Sequence, residues 1–64
     1  MVYERIKDEA VKQGINISEL EKKSGLGNGT IGGWRDKDPA SSKLLAVAGV
    51  LGVSVDYLLT GKTT

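Results

Sequence analysis

A chain of 64 residues with neither cysteine nor histidine must hold its fold with an apolar core alone. No disulfide can frame it and no thiolate or imidazole can bind structural zinc, the usual staples of so small a domain. The same two absences remove histidine general bases and serine–histidine triads. A chain this long buries only about 60% of the surface that its unfolded form exposes, too little to wall a deep cleft between two subdomains. The expectation is one domain that is not an enzyme and that needs no cofactor, metal or small-molecule ligand. Hydrophobic residues make up 39% of the chain and are spread along it, which sets it apart from disordered compositions. The most apolar stretch, 44–53, is far shorter than the ~20 residues of a bilayer span. Met1-Val2-Tyr3-Glu4-Arg5 lacks the apolar core of a secretory signal. A cytoplasmic, bacterial or phage protein with no membrane partner is expected.

Apolar spacing and stop signals predict an all-α chain of five short helices. The first covers 2–13, with Ile6 and Ala10 one turn apart, Val2 and Val11 widening the stripe, and Gly14 as its stop. The second begins at Asn16, where Glu19 three residues on completes a capping-box pattern; Ser18 with Glu21 repeats the signature two residues later. Gly25 ends it. The third predicted helix runs from Asn28 to about Arg35, with Ile31 and Trp34 as its apolar pair, and 36–39 form a turn before Pro39. The fourth is capped by Ser41 or Ser42, buries Leu44, Val47, Ala48 and Leu51, and stops at Gly52. The fifth is capped by Ser54 and covers 55–59. Residues 1–60 are read as one domain and 61–64 as a flexible tail.

The region 17–36 carries the functional signal. Gly25 supplies the positive φ of a tight turn without steric cost. Leu20, Leu26 and Ile31 are spaced to meet in the angle between two helices and fix their crossing, as a helix-turn-helix requires. The net charge of the whole chain is only +1, but residues 1–21 carry −2 and residues 22–43 carry +3, so the basic side coincides with this region.

The stretch Ser24-Gly25-Leu26-Gly27-Asn28-Gly29-Thr30-Ile31, followed by Trp34, resembles the lambda-repressor-like family, also called Cro/repressor or XRE. So does Leu44, Val47-Ala48 and the run from Leu51 through Gly-Val-Ser-Val-Asp-Tyr-Leu to Leu59. The resemblance covers nearly the whole chain. It implies a five-helix domain that binds operator DNA as a homodimer, with the third helix in the major groove. Carried over residue by residue, it places Asn28, Gly29, Thr30, Gly32 and Gly33 where the family reads bases and adjacent phosphates. Asn28 suits a bidentate pair with adenine, and Thr30 suits a base edge or a thymine methyl. Arg35 and Lys37 follow the predicted reading helix within reach of phosphates, and Ser18 completes the expected DNA-binding set.

The chain departs from the family's pattern in several places. Gly29, Gly32 and Gly33 stand where the family commonly has Ser, Gln, Lys or Arg. Ile17 stands where a polar residue often touches phosphate, and Glu21 where a small residue is usual. Three glycines inside an α-helix would cost about 3 kcal/mol against alanine. Trp34 reads as core. Leu45, Ala46, Gly49 and Val50 lie off the core face of their helix and read as a candidate partner surface or as ordinary surface apolar residues. The alternative function is a helix-turn-helix scaffold for protein–protein contact with weak or lost DNA binding.

Overall fold

Capping residues and left-handed glycines set the helix ends in the computed structural model, which describes residues 2–62. The elements are α1 (Val2–Gln13), α2 (Ile17–Lys23), a 3-10 turn (Gly32–Arg35), α3 (Ser41–Leu51) and α4 (Val55–Thr60). The fold is all-helical, with no strand among the described residues. The described residues form four α-helices and a 3-10 turn, so the expected count of five helices is not confirmed.

Tyr3, Ile6 and Ala10 are the buried stripe of α1, and Val11 points into solvent rather than widening it. The chain leaves α1 through Gly14, and the Ile15 N–H donates back to the Ala10 carbonyl at 3.0 Å. Asn16 then opens α2 with the expected capping box. Its side-chain oxygen accepts the Glu19 N–H at 2.8 Å, and Glu19 Oε1 accepts the Asn16 N–H at 3.4 Å. Leu44, Val47, Ala48 and Leu51 are the buried face of α3, and Gly52 closes it with φ +71°. Ser54 caps α4, its Oγ accepting the Tyr57 N–H at 3.0 Å.

Two boundaries differ from expectation. Neither Ser41 nor Ser42 caps α3. Ala40 holds the extended conformation at the boundary and already accepts the Leu44 N–H at 3.0 Å, so both serines fall inside the first turn. At the other end, Gly61 belongs to the end of α4, its N–H donating to the Tyr57 carbonyl at 2.7 Å. Of the expected tail, Thr63 and Thr64 lie outside the described residues.

The third predicted helix is the larger correction. Residues 28–31 form a turn, and only Gly32–Arg35 coil further, as a 3-10 turn. Gly29 has φ +87°, which no residue of a right-handed helix adopts. The Gly33 N–H is shared between the carbonyls of Gly29 at 3.1 Å and Thr30 at 3.2 Å, so a single α-type turn gives way to tighter winding.

Each helix contributes a fully buried side chain: Ile6 from α1, Leu20 from α2, Val47 from α3 and Leu58 from α4. Ile31 joins them from the turn after α2. Helix α1 packs against every other element. Its polar side chains also satisfy carbonyls left open at helix C-termini. Arg5 Nη1 donates to the carbonyls of Leu58 at 3.3 Å and Leu59 at 2.9 Å, and Gln13 Nε2 donates to that of Leu51 at 2.6 Å. These ties fix the C-termini of α3 and α4 against α1.

Candidate nucleic-acid interface

Helix α2 leads into the segment 26–37 through a turn closed by backbone hydrogen bonds. The Leu26 N–H donates to the Glu21 carbonyl at 2.8 Å while Gly25 takes φ +73°. Leu20 and Ile31 are fully buried and Leu26 is half-buried against the same core. These are the apolar residues that the helix-turn-helix spacing singled out. Trp34 is half-buried and packs on the core, which agrees with its expected role.

The segment carries its polar residues outward. Asn28, Gly29, Gly33, Arg35 and Lys37 are exposed, as is Ser18 on α2, while Thr30 and Gly32 are half-buried. The Thr30 N–H donates to the Gly27 carbonyl at 3.1 Å, and the Thr30 hydroxyl lies 3.5 Å from where a Cβ on Gly27 would sit. The turn 27–30 is therefore tight, with Asn28 and Gly29 at its tip.

Ser18 and Asn28 come together with Glu21, Lys22 and Leu26 around an open cleft of about 480 Å³ between α2 and the turn. Gly32, Gly33, Arg35 and Lys37 do not line it. Lys22 was not among the expected site residues, yet it brings a cation to the rim beside Asn28.

Arg35 has a partner that the sequence did not indicate. Its Nη2 donates to the Tyr3 hydroxyl at 3.0 Å, and the guanidinium carbon lies 4.8 Å from the centroid of the Tyr3 ring. The hydrogen bond with Tyr3 is the main cause that raises the Arg35 pKa, so its charge is secure. The side chain is thus fixed against the start of α1, and its remaining N–H donors stay available to an anion.

Glu21 is the residue that reading the sequence missed. It is 3% exposed, the one charged side chain buried among the described residues. Its Oε1 accepts the Gly29 N–H at 3.1 Å and its Oε2 accepts the Ile31 N–H at 2.9 Å. Burying a carboxylate is unfavourable unless such donors replace its water. The signal was present: Glu21 is four residues after Ile17, so both lie on one face of α2, and Ile17 packs on the core.

On α3, Leu45 is 64% exposed and Gly49 is exposed, as expected off the core face, but Ala46 and Val50 are half-buried and Val50 packs on the core. No helix among the described residues is long and apolar enough to cross a membrane.

Over 47 residues the chain is 45% identical to a protein of Haemophilus influenzae (strain ATCC 51907 / DSM 11121 / KW20 / Rd) described as an uncharacterized HTH-type transcriptional regulator. The match covers 70% of this chain and 20% of that protein, so the chain spans about a fifth of the length of this curated relative. No family model matches the chain. The similarity supports a helix-turn-helix regulator, and the all-helical structure is compatible with one.

Proposed function

We propose that this chain is a sequence-specific DNA-binding transcriptional regulator of the phage or bacterial repressor type, which presents residues 26–37 to the major groove of duplex DNA. The observation that carries it is the exposed Asn28 turn, set directly after α2 and flanked by Ser18 and Lys22. An asparagine there can pair with two atoms of an adenine edge, while Lys22, Arg35 and Lys37 neutralise backbone phosphates on either side. The name of the Haemophilus influenzae relative, a transcriptional regulator, supports the same role. By the resemblance to the lambda-repressor-like family, two copies would bind as a homodimer on half-sites about one helical turn apart.

A second role, as a helix-turn-helix scaffold for protein–protein contact, draws on the lack of an α-helix over 28–35 and the exposure of Leu45. Selection of duplexes from a random DNA library by the purified chain separates the two. The DNA-binding role predicts one enriched, two-fold-related motif. Recovery of no motif at low salt contradicts it and favours the scaffold.

A further inference from the structure

We infer that Glu21 is a positioning residue for base reading: its buried carboxylate fixes the turn that carries Asn28 and Thr30, and so governs sequence specificity without touching DNA. The inference rests on the DNA-binding role proposed above. Its ground is a two-point grip. One carboxylate oxygen takes the Gly29 N–H at 3.1 Å and the other takes the Ile31 N–H at 2.9 Å, so the acid brackets Thr30 and fixes both the position and the tilt of the turn. Charge-assisted bonds of this kind are the strong ones, and they hold in a site that is almost closed to water.

Nothing else about the position favours an acid. Glu21 lies in the last turn of α2, where the helix dipole disfavours negative charge, and four residues after Ile17, which packs on the core. Its carboxylate is accounted for by the turn it holds. Asn28 lies immediately beside the gripped Gly29 and lines the same cleft as Glu21, so a shift of the turn moves the amide that would meet a base edge. Lys22, Arg35 and Lys37, which would meet phosphates, are not among the hydrogen-bond partners of the Glu21 carboxylate.

The test uses Glu21→Gln, which keeps the volume but turns an amide N–H2 toward one of the two donors, and Glu21→Asp, which keeps the charge but is one methylene shorter. Amide hydrogen exchange is measured on the free proteins. Each is then titrated with the duplex selected by the wild type and with a scrambled duplex over a range of salt. In Glu21→Gln, exchange at Gly29 and Ile31 is expected to accelerate at least about tenfold while the Ile6 and Val47 amides stay protected. The ratio of selected to scrambled affinity is expected to fall about tenfold, within the range of one lost bidentate base pair, with the salt slope unchanged. Glu21→Asp is expected to show a smaller fall of the same kind and carries the test if the glutamine variant does not fold. An unchanged affinity ratio in a folded variant overturns the inference, as does an equal loss on both duplexes, which marks a structural role only. A wild type that binds neither duplex overturns the DNA-binding role itself and the specificity role with it. That result is read before any variant, so the two failures are told apart.

Discussion

The turn at Gly29 makes opposite predictions for two glycines four residues apart. Gly29 has φ +87°, and a Cβ built on it meets nothing within 4 Å. Strain rather than collision is thus the native-state effect of a side chain there, roughly 1–2 kcal/mol for alanine, which outweighs the gain from restricting the unfolded chain. Gly33 lies in the 3-10 turn outside the left-handed region, also with nothing within 4 Å of an added Cβ. Alanine at Gly33 restricts the unfolded chain without strain and is expected to gain about 0.4–1 kcal/mol. In a domain this small, each kcal/mol moves the melting temperature by about 4–8 °C. Gly29→Ala should therefore lower Tm by roughly 4–16 °C and Gly33→Ala should raise it by about 2–8 °C. Gly29→Asn should fall between wild type and Gly29→Ala, since asparagine tolerates positive φ better. Reversible thermal melts followed by circular dichroism read all three. A higher Tm for Gly29→Ala would refute the reasoning, because it is the result expected of a regular helix from Asn28, where replacing glycine gains about 1 kcal/mol.

Further outcomes follow from the caps and the exposed turn. Asn16→Ala removes the capping box of α2 and should destabilise by about 1 kcal/mol, whereas Ala40→Ser supplies the cap that α3 lacks and should stabilise by a similar amount, both read by denaturant melts. Asn28→Ala should relax base preference at one position, losing about 1–3 kcal/mol of discrimination in a binding-site selection, while Lys37→Ala should weaken all sequences alike and reduce the salt slope by about one unit. Gly32→Ser combined with Gly33→Lys should both raise Tm and tighten duplex binding, because open space receives both side chains and the lysine adds one phosphate-range charge. A lower Tm for that double variant would refute the expected stabilisation.

Much of this fold is legible because its helix ends are written in short-range chemistry. Asn16 with Glu19, Ser54 with Tyr57 and the stops at Gly14 and Gly52 each involve residues within a turn of one another. The buried face of α3 follows from spacing alone. Residues 28–35 escape that logic. Ile31 and Trp34 have helical spacing, but the conformation of Gly29 is tied to an acid eight residues earlier. A contact of that range leaves no periodic trace. The same holds for Arg35, whose partner Tyr3 lies 32 residues earlier in the chain. At the candidate site, Ser18 and Asn28 were expected from the sequence as polar residues within the helix-turn-helix region, and both line the cleft beside α2. Lys22 and Glu21 were noticed but not placed in the site, because one reads as surface charge and the other as a cap or a departure from the family's pattern until the turn folds over α2.

The salt dependence of duplex binding tests the central claim most directly. If Lys22, Arg35 and Lys37 each neutralise one phosphate, the logarithm of affinity should fall against the logarithm of salt with a slope of about −2.7 per bound copy, and about twice that for a homodimer. A slope near zero, or no binding to the selected duplex at low salt, would contradict a DNA-binding role for the turn after α2.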